Sequence, residues 1–299
     1  STTLNPSYAD GHFNLGIIYL KKGDLNNAIN YFLNTIRIRP EDSNALNMLG
    51  VAYFKKGDIK SSINYYLKAI KFNPLNDNIY NNLATAYSKS GALEDSLSTY
   101  LRALKIDPKN FTTLFNLGKL YQKNGDLEDA LKTFKKILRL KNINSLELVF
   151  NEIGITLQKK EDFDEAIKAY LKAIKINKKL IQAYNNLGYS QFQLEDFDSA
   201  SSSFLKATKL NPNNAIARSS LARIYLQAGN YKEGLEHYEY RHKTSNLRNF
   251  PHASPKIPIW SGKDSENPDK LLIVSEQGLG DTIQFMRFLP LLRKENRKV

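Results

Sequence analysis

Small and apolar positions return along this chain at a fixed interval. A Leu-Gly or similar pair stands at Leu15-Gly16, Leu49-Gly50, Leu83-Ala84 and Leu117-Gly118, in steps of 34 residues. It comes back at Ile153-Gly154, Leu187-Gly188 and Leu221-Ala222 after one step of 36, which places a two-residue insertion near Asn142–Ser145. A second small column runs through Ala28, Ser62, Ser96, Ala130, Ala166, Ala200 and Gly234. Four residues after each comes an aromatic: Phe32, Tyr66, Tyr100, Phe134, Tyr170, Phe204 and Tyr238. Pro closes most units, at Pro6, Pro40, Pro74, Pro108 and Pro212, while the fourth and fifth units carry Asn142 and Lys178 there.

These columns predict pairs of helices. Small residues let two helices approach closely, and the aromatics fill the space between one pair and the next. Pro cannot continue a helix and separates the units. Between the two helices of a pair stands Gly23, Gly57, Gly91, Gly125 or Gly229, free to take a left-handed turn. Glu161 and Glu195 replace that glycine in units five and six, which is expected to loosen those two turns. Asp24, Asp58, Asp126, Asp162 and Asp196 follow the turn, where a carboxylate can cap the second helix.

The pattern resembles the tetratricopeptide repeat, with its small, aromatic and Pro columns at this period. It covers residues 9–248 as seven units: 9–42, 43–76, 77–110, 111–144, 147–180, 181–214 and 215–248. Residues 1–8 read as the tail of a further unit. The resemblance implies an all-α fold, a right-handed superhelical solenoid whose first helices line a concave groove. It also implies the function: binding a peptide or protein in that groove.

The residue before the Leu-Gly pair is expected to face the groove. It is Asn14, Met48, Asn82, Asn116, Glu152, Asn186 and Ser220, so Asn at four of seven positions. An Asn amide offers both donors and an acceptor, enough to hold the backbone of an extended peptide. This resembles the asparagine ladder of O-linked N-acetylglucosamine transferases. The residue one earlier is also often Asn, as at Asn47, Asn81, Asn151 and Asn185. The competing reading is that Asn is simply common at this place in the family.

Lys21, Lys55, Lys89, Lys123 and Lys159 form a second column near the end of the first helix. They would favour an acidic partner or the carboxylates of a peptide; the alternative is that they complement the helix C-terminus. A third column, Arg37, Lys71, Lys105, Arg139, Lys175, Lys209 and Lys243, lies in the last turn of the second helices and reads as a solvated basic stripe. The carboxylate clamp of chaperone-binding repeats concentrates Lys and Asn in a few units, whereas here they spread over all of them.

Residues 249–269 hold Pro251, Pro255, Pro258 and Pro268 and read as a connector, with Trp260 as its anchor. In residues 270–299, Leu271–Ser275 reads as a buried strand, Gly278-Leu279-Gly280-Asp281 as a loop, and the stretch from Thr282 as a helix. Asp281 can cap that helix, with Gln284 completing a capping box. This short α/β fragment, with Trp260 and Gly262 ahead of it, resembles the start of a heptosyltransferase-like glycosyltransferase domain of the two-domain GT-B architecture. The resemblance makes Asp281 the candidate base and Gly278 and Gly280 the candidate cofactor loop. It also implies a nucleotide-sugar for the parent enzyme and none for this chain, because the family's donor site lies in the second half-domain. Two further readings stay open: the parent as a glycosyltransferase acting on protein acceptors, and an assembly scaffold.

Composition narrows these readings only modestly. The chain has 299 residues, 41% hydrophobic and 24% charged, in the range of globular proteins. A formal charge of +13 is open to nucleic acid, an anionic membrane surface, an acidic partner or no more than a Lys-rich solvated face, while the aromatics that could stack on bases are mostly used by the repeat core, which disfavours nucleic acid. No apolar run is long enough to span a membrane. With no Cys and four scattered His, a metal site is not expected, and the cysteine-free chain suits a reducing compartment such as the cytoplasm. No signal-peptide pattern follows Ser1, a start that reads as a cut end.

Overall fold

In a computed structural model, residues 8–141, 143–238 and 240 are described; the connector and the 270–299 segment, with its expected strand, lie outside them. Every element among the described residues is a helix. In chain order these are α1 (Ala9–Lys22), α2 (Leu25–Ile38), α3 (Ser43–Lys56), α4 (Ile59–Phe72), α5 (Asp77–Ser90), α6 (Leu93–Ile106) and α7 (Phe111–Asn124). They continue with α8 (Leu127–Ile137), α9 (Leu146–Lys159), α10 (Phe163–Ile176), α11 (Ile181–Gln193), α12 (Phe197–Leu210), α13 (Ala215–Gln227) and α14 (Tyr231–Tyr238). The chain divides into two compact units, Ser1–Asn211 and Pro212–Val299. The first holds α1–α12 as six antiparallel pairs; α13 and α14 pair within the second.

The turns inside the pairs are built alike. Gly23, Gly57, Gly91 and Gly125 have φ of 81, 90, 89 and 91°. Glu161 and Glu195 take the same left-handed conformation at 62 and 60°. The turn-closing bond is also kept. Asp58 N–H donates to Tyr53 O at 3.0 Å, and Asp162 and Asp196 N–H reach Leu157 and Gln191 O at the same distance. The two Glu turns are therefore not looser, contrary to expectation; they hold the same geometry at the cost of backbone strain that a glycine would not carry. Of the five expected caps, Asp24, Asp58, Asp162 and Asp196 accept from the N–H of Asn27, Ser61, Glu165 and Ser199. Asp126 instead accepts from the Asn124 side chain at 2.6 Å.

Within a pair, the recurring spacing of glycine and aromatic has a steric cause. The ring of Phe32 lies over Gly16, and that of Tyr66 over Gly50, so closely that a Cβ on either glycine would fall 2.5 or 2.6 Å from a ring carbon. Phe134 and Phe204 sit on Gly118 and Gly188 in the same way, and Tyr170 on Gly154. The third pair has Ala84 at this place, and its Tyr100 hydroxyl meets Thr85 Oγ1 at 2.9 Å. The same rings reach the next pair, as expected: Phe32 clusters with Leu49 and Ala52, Tyr66 with Ile79 and Leu83, Phe134 with Val149 and Ile153. One aromatic per repeat thus locks its own hairpin and forms the interface to its neighbour, at roughly 1.5–3 kcal/mol per buried side chain.

The two-residue insertion falls where expected. Helix α8 is 11 residues long where α2, α4 and α6 have 14. After Ile137 the chain tightens, with Leu140 N–H on Ile137 O at 2.9 Å. The extra length is taken up before α9, while Ile137, Leu138 and Leu140 stay in the core.

Candidate functional site

In the unit holding α1–α12, each first helix touches the first helix of the next pair, while each second helix packs on its own partner and on the following first helix. The odd-numbered helices therefore form a continuous inner layer, and the candidate site lies on it.

The asparagine columns make hydrogen bonds from one repeat to the next. Asn82 Nδ2 donates to Asn47 Oδ1 at 3.0 Å, Asn116 to Asn81 at 3.1 Å, and Asn186 to Asn151 at 3.1 Å. The acceptors Asn47, Asn81 and Asn151 are buried, and the donors are half-buried. Asn47 and Asn151, which their column made candidates for the groove, are thus acceptors beneath the surface. Asn82, Asn116 and Asn186 have spent one amide hydrogen on the neighbouring repeat. Each keeps a carbonyl oxygen and a second N–H, which matches one peptide group, and the inter-repeat bond fixes the plane in which they are offered. Asn14 is exposed on α1.

Two of the gaps in the ladder, at Met48 and Glu152, follow the same logic. Where the acceptor position holds Phe13 or Phe115, no amide awaits the next repeat, and that repeat carries Met48 or Glu152 instead of Asn. Phe13 and Phe115 pack on the aromatics of their own pairs, Phe32 and Phe134, with ring centroids 5.8 and 5.9 Å apart. The pairing was legible as two Asn columns at a spacing of 35 residues, but only the hydrogen bonds show that one column serves the other.

A polar node that the residue columns did not reveal joins α7 to α9. Gln122, buried, donates from Nε2 to Glu152 O at 2.9 Å and to Thr156 Oγ1 at 2.7 Å. Glu152 stands at the ladder position, where burial raises its carboxyl pKa against the opposing pull of Lys119, Gln122 and Lys159. The lysine column serves the layer as well. Lys159 Nζ donates to Gln122 O at 3.0 Å and Lys123 Nζ to Ser88 O at 2.9 Å, so each tethers the last turn of the preceding first helix. That is the helix-terminus role, reached across repeats. Lys21, Lys55 and Lys89 are exposed.

Profiles described as TPR repeat match residues 52–91, 86–125 and 154–195, and profiles described as tetratricopeptide repeat match 9–42, 111–143 and 185–243. Together they cover more than half of the chain. It is a tetratricopeptide-repeat protein. Among solved structures, this repeat protein resembles one from Parabacteroides merdae, at 18% identity over 80% of this chain and 94% of that one, with a TM-score of 0.64. It also resembles PilW, a type IV pilus biogenesis factor, at 19% identity, 70% and 94% coverage and a TM-score of 0.61. Pseudomonas aeruginosa PilF is similar at 22% identity, 74% and 97% coverage and a TM-score of 0.60. These likenesses concern the fold. No curated protein matches the sequence.

For a tetratricopeptide-repeat protein the inner layer is the natural place for a partner. Among the described residues no helix is long and apolar enough to cross a membrane, and no three His, Cys, Asp or Glu cluster as a metal site would need. The candidate base Asp281 and the loop residues Gly278 and Gly280 lie outside the described residues.

Proposed function

We propose that this tetratricopeptide-repeat chain is a protein-interaction module that holds an extended segment of a partner along its inner layer, gripping backbone through Asn82, Asn116 and Asn186. The observation that carries this reading is the inter-repeat bonding of the three amides, which orients each one and leaves it a free donor and acceptor. Lys21, Lys55 and Lys89 at the layer's edge favour carboxylates on the bound segment. In the parent protein the segment is an acceptor delivered to a glycosyltransferase domain; the support for this is the sequence from Trp260 to Phe285 alone.

The test is cross-linking from within the site. A photo-reactive residue replaces Met48, at the ladder position of α3, and lysate proteins are captured with and without Asn82, Asn116 and Asn186 changed to Ala. Capture through position 48 that disappears in the triple variant and survives raised salt supports a backbone-reading groove. Capture that ignores the three substitutions and collapses with salt sinks it, leaving general charge attraction.

A further inference from the structure

The second helices carry a feature that the inner layer does not use. The last half of α4, α6, α10 and α12 repeats one hexad: Leu-Lys-Ala-Ile-Lys-Phe (67–72), Leu-Arg-Ala-Leu-Lys-Ile (101–106), Leu-Lys-Ala-Ile-Lys-Ile (171–176) and Leu-Lys-Ala-Thr-Lys-Leu (205–210). The Ala of each hexad is fully buried, which turns the leading Leu and both cations outward. Leu67, Leu101, Leu171 and Leu205 are 47, 44, 50 and 44% exposed. In α8 the hexad starts with Lys135, and the apolar row is interrupted there.

The helix dipole accounts for Lys in a last turn. It does not account for an outward Leu beside it, repeated on four of the five second helices from α4 to α12. The hexads contain no carboxylate, and the acids of these helices, such as Glu94, Asp95, Asp164 and Asp198, stand in the first turns. The ion pairs among the described residues, Arg39–Asp10, Lys160–Glu128 and Lys168–Glu165, involve none of the eight hexad cations. Each of these four helices therefore ends in exposed apolar residues flanked by two cations outside those ion pairs, although Lys68, Lys71 and Lys172 lie over the rings of Tyr65, Phe72 and Phe150 and Lys172 also lies near Glu165.

We propose that this outer face docks on an anionic membrane surface, the Lys and Arg residues meeting lipid phosphate and carboxylate groups while the leucines enter the headgroup–acyl boundary. Charge complementarity selects an anionic partner, and the leucines select among anions. Against nucleic acid or a polyacid they would stay in water. At a lipid interface they gain apolar contact while the flexible lysine stems keep their charges among the headgroups. Each cation near such a surface contributes about 1 kcal/mol.

The experiment is co-sedimentation of the full 299-residue chain with vesicles of phosphatidylcholine, with and without about 30% phosphatidylserine. Two variants accompany it: Leu67, Leu101, Leu171 and Leu205 all changed to Ser, and Lys71, Lys105, Lys175 and Lys209 all changed to Gln. The expected result is binding to the anionic vesicles only, weakened roughly tenfold or more in each variant, with helical circular dichroism unchanged. If the fourfold Leu variant loses helicity, Leu101→Ser alone repeats the comparison. The proposal is overturned if the chain ignores anionic vesicles, or if the leucine substitutions leave binding intact. It is overturned in favour of an acidic macromolecule if polyglutamate or an oligonucleotide binds as tightly as the vesicles.

Discussion

Replacing Glu161 with Gly should stabilise the protein, although it removes a charged side chain and adds a flexible residue. Glu161 sits at φ 62° in the turn between α9 and α10, where the equivalent turns use glycine at 78–91°. Left-handed backbone costs an L-residue with a Cβ about 1–2 kcal/mol. A glycine returns roughly 0.5–1 kcal/mol of that through the larger entropy of its unfolded chain. The net expectation is a gain of about 0.5–1 kcal/mol, because the hydrogen bond from Asp162 N–H to Leu157 O, 3.0 Å long, is retained. Urea unfolding followed by circular dichroism measures it, with Glu161→Asn and Glu161→Gln beside it. Asn tolerates this conformation and should recover part of the gain, whereas Gln removes the charge but keeps the strain and should recover none. If Gln stabilises as much as Gly, the effect is electrostatic and the strain argument fails. A Gly57→Glu variant supplies the reverse measurement, since Gly57 holds the same turn at φ 90° and should lose what Glu161→Gly gains.

Gly154→Ala should destabilise by about 1–3 kcal/mol, since its methyl would enter the buried ring of Tyr170; a thermal melt unchanged from the parent would show that the ring can move aside. Glu152→Gln should flatten the dependence of stability on pH. Burial raises the folded carboxyl above its ordinary 4.5, so the folded state holds its proton more tightly than the unfolded chain does. That contribution is present below the unfolded value and is lost as pH rises through the folded one. Urea midpoints of the two proteins should therefore differ near neutral pH, with Gln the more stable, and the gap should close on acidification. A gap that widens instead would mean that Lys119 and Lys159 outweigh burial.

Much of this protein was legible because a repeat states its rules several times over. The helix pairs, their turns and the place of the insertion follow from local chemistry: glycine or a strained Glu where the chain reverses, Asp where a helix begins, Pro where it cannot go on. Those forces act between residues close in sequence, so one repeat suffices to read them. The columns also picked out the asparagines, but their division of labour is a tertiary matter. Asn81 and Asn116 have the same chemistry, and neither periodicity nor composition tells which is a buried acceptor and which is a half-buried donor that keeps a carbonyl oxygen and a second N–H. That depends on the distance between one first helix and the next, which is set by the aromatics packed between the pairs. The same spacing decides that Lys123 and Lys159 reach back to carbonyls of the preceding helix, and that Gln122 and Thr156 meet in a buried node. A side chain's neighbour along the chain is written in the sequence; its neighbour across two repeats exists only once Phe134 and its counterparts have fixed how closely the repeats stack.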